Sequence, residues 1–274
     1  MEIFKMRLQR KEKSVKKSSC RLKGELQLIL SIILMMVSMP SFSDRDTSRD
    51  QYRNPTQTLA FFGLRPEMDV VEISPGGGWY TEVLADFIEG DLMAAHYDPN
   101  SERAYYRRSF KRFEKKMSSN SRLFSNVKMY VFDAGKNKLT VPNSSADALV
   151  TFRNVHNWLR SNTEGSSFDL FFKALKPGGV LGVVEHRAPP GTDRNTMLAS
   201  GYMPQDYVIQ LALDAGFTFE ASSEINANKK DTANHPKGVW TLPPSLSLGE
   251  KDREKYLAIG ESDRMTLRFR KPVN

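Results

Sequence analysis

Three of the four histidines in this chain, His96, His156 and His186, fall at or just past the ends of apolar runs that read as strands. Glu72, Asp98, Asp133 and Glu185 fall in the same kind of place. Imidazoles and carboxylates move protons near neutral pH, accept hydrogen bonds from hydroxyl groups and ligate metals. Polar residues also mark where strands stop in any protein. Here the cluster is informative because histidine is so scarce elsewhere. His156 is the best candidate general base, since an imidazole titrates near neutrality. Its other reading is a hydrogen-bonded structural histidine. A metal site built from His156, His186 and Glu185 is a further reading, but no H-x-x-x-H or H-E-x-x-H spacing supports it.

The second feature is "VVEISPGGGWYT", residues 70–81. A buried strand, Val70–Ile73, leads into Gly76-Gly77-Gly78 and then a helix start. Such a turn presents backbone N–H groups to a ligand, and glycines let the chain approach it closely. The spacing is not the G-x-G-x-x-G of pyrophosphate-binding folds, and no Gly-Lys-Ser/Thr loop is present. A smaller adenosyl ligand fits the turn better than a pyrophosphate.

These residues need a scaffold that brings strand ends together. Apolar runs at Val70–Ile73, Leu92–Tyr97, Val127–Phe132, Ala148–Phe152 and Val180–Val184 read as strands. Helical patterns alternate with them, and "RMTLRFR" near the C-terminus reads as a last strand. The pattern predicts an α/β, doubly wound, mostly parallel sheet covered on both faces. Ligands of such sheets bind at the carboxyl ends of the strands. Tyr106, Phe110, Phe113 and Met117 form one apolar stripe on a helix over 101–117, interleaved with basic residues. We read that helix as amphipathic with a solvated basic face. Residues 223–262 are polar and loop-like, and are expected to fold over the sheet.

The chain has 274 residues and a formal net charge of +8. Nine of its 40 Lys/Arg and three of its 32 Asp/Glu lie in residues 1–43, so residues 44–274 carry a net of only +2. The excess sits in a leader, and a nucleic-acid partner is not implied for the body. That leader has a basic stretch, fourteen mostly apolar residues from Leu26 to Met39, and small residues Ser41 and Ser43 before Asp44. It reads as a signal peptide with export to the periplasm, or as an uncleaved membrane anchor. The only cysteine, Cys20, lies within it. Disulfides and thiolate chemistry are therefore excluded from residues 44–274.

"DVVEISPGGGWYTEVLA" resembles the first motif of the class I S-adenosylmethionine-dependent methyltransferases, written acidic-x-Gly-x-Gly-x-Gly. Glu72 matches the acid, and Ser74, Gly76 and Gly78 match the glycine places, with Gly77 between them. "FKALKPGGVLGVVEH" and "DALVTFRNVHNW" are similar to that family's fifth- and fourth-strand regions. The likeness runs from about residue 55 to 220 and returns at the last strand. "FRNVHNW" and the leader together resemble a group of predicted exported methyltransferases.

The resemblance implies a Rossmann-like seven-stranded sheet, S-adenosylmethionine as cofactor and methyl transfer to a small-molecule acceptor. It implies that Glu72 and the backbone around Gly76 and Gly78 hold the methionine end. His96 stands where the family has the acid that binds the ribose, with Asp98 two residues later. Asp133 and Ala134 match the adenine-contacting place. Arg153 and Asn154 lie where cofactor and acceptor pockets meet. Two alternatives remain: an adenosyl-binding protein without catalysis, and a nicotinamide-dependent oxidoreductase. The glycine spacing and His96 argue against the second.

Overall fold

The computed structural model describes residues 45–273, so the leader reading for residues 1–43 lies outside the described residues. The first strand, β1 (Val70–Ile73), is buried at all four positions. A strand buried on both faces must sit at the centre of a parallel sheet. β1 pairs in parallel with β2 (Leu92–His96) on one side and β5 (Ala146–Phe152) on the other. β3 (Val127–Asp133) extends the sheet beyond β2, and β6 (Leu175–Ala188) extends it beyond β5, again in parallel. β10 (Arg264–Arg270) then lies antiparallel to β6, and β8 (Thr218–Ser223) antiparallel to β10.

The chain thus winds outward from β1 in both directions, which is the doubly wound order expected. Among the described residues the sheet has nine strands rather than seven. The additions are two-residue strands: β4 (Lys138–Leu139) pairs with β3, and β7 (Met203–Pro204) with β6. Pairs this short leave no periodic signal in a sequence.

The strand β6 starts five residues earlier than the apolar run suggested. Ala146 pairs with Leu175, but Ala148 pairs with Val180. Lys176–Gly179 is therefore a bulge inside the β5–β6 ladder, not the turn that precedes a strand. Gly178 supplies the positive φ that this bulge requires.

Helices cover both faces. Leu181 and Val183 point into the large core cluster beneath α5 (Val155–Arg160), α6 (Glu164–Ala174) and α8 (Gln205–Asp214). Gly182, between them, points to the opposite face. There Phe62 of α2 (Pro55–Phe62) lies so close that a Cβ at Gly182 would sit 2.6 Å from its ring. α2 follows α1 (Asp50–Arg53). The helix α3 (Trp79–Phe87) leads from the glycine turn, and α4 (Ala104–Ser119) carries the aromatic stripe. Phe113 is buried, while Arg108, Lys111, Arg112 and Lys115 are exposed, as an amphipathic helix requires. Among the described residues, no helix is long and apolar enough to cross a membrane.

Besides β4 and β7, five elements went unread in the sequence: α1, in a stretch expected to be irregular, α5, α7 (Arg194–Ser200), β9 (Pro236–Val239) and α9 (Arg253–Ile259). The last two lie in the stretch expected to be loop. They are seven residues or fewer, too short for a period to register.

Candidate functional site

Because β1, β2, β3, β5 and β6 run parallel, their carboxyl ends share one rim. Two cavities open on it, of about 430 Å³ and about 690 Å³, and they share Ser74 and Asn154 as lining residues. Asn154 is held in place by its Nδ2, which donates to the carbonyls of Ile73 and Ser74 and to Thr151 Oγ1.

The glycine turn forms one wall of the larger cavity. Ser74 has φ 53°, Gly76 φ 61° and Gly78 φ 78°. The first glycine place thus keeps its left-handed backbone although a serine occupies it. A non-glycine residue held there is strained, and such strain persists where the surroundings over-determine it. A Cβ built at Gly76 or Gly77 would meet no heavy atom within 4 Å, so both face open space. Gly78 differs: it caps α3, and a Cβ there would approach Phe113 at 3.1 Å. Gly78 lines neither cavity.

His96 is 1% exposed and also lines neither cavity. Its Nδ1 accepts from the Tyr97 N–H at 2.7 Å, and its Nε2 donates to the Gly76 carbonyl at 3.1 Å. Burial drives its pKa down to about 4, so the ring is neutral, with both nitrogens used. It buttresses the glycine turn from behind, with both ring nitrogens engaged by backbone. Asp98 does line the smaller cavity, with its carboxylate bound to the Asn100 N–H and near Lys138 Nζ. Asp133 and Ala134 line the same cavity, and Asp133 caps the following single turn through Lys136 N–H.

Glu72 lies at the inner wall of the larger cavity and is 1% exposed. Burial raises its carboxyl to about 7, against the hydrogen bond from Thr81 Oγ1 at 2.5 Å. A carboxyl in this condition takes its charge readily when a cation arrives.

His156 enters from the first turn of α5. Its Nδ1 lies 3.0 Å from Glu185 Oε1, buried at the end of β6. An Nδ1–H donated to this carboxylate oxygen leaves Nε2 with the lone pair. Glu185 also accepts the backbone N–H groups of Val155 at 2.6 Å, His156 at 3.3 Å and His186 at 2.8 Å. Ligand atoms of His156, Glu185 and His186 all lie within 4.8 Å of one another, a spacing that could hold a metal. However, both Glu185 oxygens are already occupied by N–H donors, so the geometry favours a carboxylate that orients imidazole. The Nδ1 of His186 meets Ser262 Oγ at 2.5 Å, and burial, then the neighbouring His156, lowers its pKa well below the usual range.

Several lining residues had no sequence signal. Arg49, Arg53 and Arg264 come from the two ends of the described chain and meet at Glu261, with Arg153 at 3.7 Å. Arg153 has φ 63°, a second strained residue on the rim. Tyr80 stacks on Phe152 with ring centroids 3.5 Å apart. Trp240, Pro243, Pro244 and Ser245 close the larger cavity from the stretch expected to fold over the sheet.

No family model matches the sequence, and no curated protein matches it. Solved structures do match the fold. A SAM-dependent methyltransferase from Aquifex aeolicus superposes with a TM-score of 0.56 at 15% identity, covering 82% of this chain and 94% of its own. The N-methyltransferase NodS from Bradyrhizobium japonicum WM9 gives 0.51 at 15% identity, covering 84% and 98%. The [4+2]-cyclase SpnF gives 0.57 at 18% identity, covering 81% of each chain. The chain has the class I S-adenosylmethionine-dependent methyltransferase fold.

Proposed function

We propose that this protein transfers a methyl group from S-adenosylmethionine to a small acceptor. One observation carries the reading: the open glycine turn and His156, held from behind by Glu185, line one cavity, which shares Ser74 and Asn154 with a second. In this reading the smaller cavity takes the adenosine half, with Asp98 at the ribose and Asp133–Ala134 near the base. The methionine half lies along Gly76 and Gly77, with Glu72 near its cationic groups. When bound, the cofactor supplies an electrophilic methyl group on a positively charged sulfur. Catalysis then rests on bringing the acceptor atom into line with that methyl group. His156 Nε2 accepts the proton that the acceptor loses, and Glu185 holds the ring in the tautomer for this task and balances the imidazolium.

A second reading keeps the fold and the adenosyl ligand without methyl transfer. Two observations favour it: His96 is spent on the glycine turn rather than on a ribose, and a [4+2]-cyclase shares the fold. Fold alone does not decide between chemistries.

Calorimetric titration with S-adenosylmethionine and S-adenosylhomocysteine tests the first reading. Both are expected to bind, and Gly77→Val is expected to weaken them at least tenfold. Gly77 has no positive φ, so the new side chain fills the ligand space without straining the backbone. Absence of heat with either ligand sinks the proposal, and unchanged binding by Gly77→Val removes the turn from the site.

A further inference from the structure

We propose, on the methyltransferase reading, that the acceptor is held by an oxyanion, a carboxylate or phosphate, between Arg49, Arg53 and Trp79 in the larger cavity. Four guanidiniums, those of Arg49, Arg53, Arg153 and Arg264, surround the single carboxylate of Glu261. The other charges on the cavity wall do not cancel this excess. Lys116 pairs with Glu82 at 3.0 Å, and Asp46 lies exposed at the mouth. Burial raises the Glu72 carboxyl to about 7, so near pH 7 it carries only part of its negative charge. The two histidines, His156 and His186, contribute no negative charge.

The donors confirm the imbalance atom by atom. Arg49 Nη2, Arg53 Nη1, Arg264 Nε and Trp79 Nε1 are buried and have no hydrogen-bond partner. All four residues line the cavity. The Arg53 side chain is 2% exposed, and its guanidinium lies 4.5 Å over the Trp79 ring. Burial, then Arg153, disfavours the charge on Arg53. A guanidinium keeps its proton, and Glu261 alone faces four of them, so a further anion here relieves the repulsion. A planar fork beside an indole N–H suits a carboxylate or phosphate.

The cofactor does not supply the missing charge. S-adenosylmethionine carries one carboxylate, one ammonium and one sulfonium, and is a net cation. Loading it deepens the imbalance, and an anionic acceptor reverses it.

The test titrates the full chain with inorganic phosphate and with malonate, at constant ionic strength, with and without saturating S-adenosylhomocysteine. We expect one of the two probes to bind in both conditions, and the probe that binds tells carboxylate from phosphate. Arg49→Gln is expected to weaken it at least tenfold, and Arg53→Met likewise. Should Arg53→Met fail to fold, Arg49→Gln decides, since its side chain is partly exposed. Binding of neither probe overturns the proposal, as does wild-type affinity in Arg49→Gln. Loss of probe binding under S-adenosylhomocysteine assigns the arginines to the cofactor's carboxylate and also overturns it. A chain that binds a probe but no S-adenosylhomocysteine retains the anion site and removes the methyltransferase reading.

Discussion

Glu72 shows how burial and charge compete at a single residue. Its place before the glycine turn was legible as an acid at a strand end. Its raised pKa was not, because burial depends on the strands at either side. The sign of its effect follows from linkage. In the unfolded chain the carboxyl titrates near 4.5, and in the native state near 7. Between those values the native state holds the extra proton, so stability falls as pH rises through the window. Above pH 7 the full penalty is present. Glu72→Gln keeps an acceptor for Thr81 and removes the charge. It is expected to raise stability at pH 8 by on the order of 3 kcal/mol, and to change it little at pH 4. Urea denaturation of both proteins at the two pH values checks this, and equal pH profiles would refute it. His96 titrates in the opposite sense, but it is common to both proteins. Its inward position was not legible for a related reason: a histidine at a strand end points to open space or to backbone according to neighbours that are distant in sequence.

Among the elements, the long periodic ones were legible and the short ones were not. β1, β2 and β5 announce themselves as apolar runs because they are buried on both faces. The helix α4 was read from its stripe, and Phe113 is indeed its buried apolar residue. By contrast, α5 is a six-residue helix, yet it carries His156 to the rim. The bulge at Lys176–Gly179 was read as a turn because Pro and Gly mark both. The packing of α2 on β6 depends on a pair no local pattern links, Phe62 against Gly182. Phe62 is fully buried. Phe62→Ala should leave a cavity over the sheet and cost about 3–5 kcal/mol, measured by the shift in denaturation midpoint at constant slope. A loss under 1 kcal/mol would mean that α2 does not pack there.

At the scale of the whole molecule, we propose that the leader directs export, with the protein ending its processing at Asp44. N-terminal sequencing of protein from the periplasmic fraction is expected to begin there, and an intact Met1 terminus would refute cleavage. The amino-acid sequence by itself determined the α/β class, the mostly parallel sheet, the strand-end rim and the glycine turn. These follow from local rules: the periods of hydrophobicity, the stops at Gly and Pro, and the fact that parallel strands put their ends together. Only the tertiary structure decided which rim residues face open space. It turned His96 inward, set His156 on Glu185, and gathered Arg49, Arg53, Arg153 and Arg264 around Glu261 across some 200 residues of chain. Electrostatic complementarity and burial act through space, and the positions that meet at this cavity carry no shared signal along the chain.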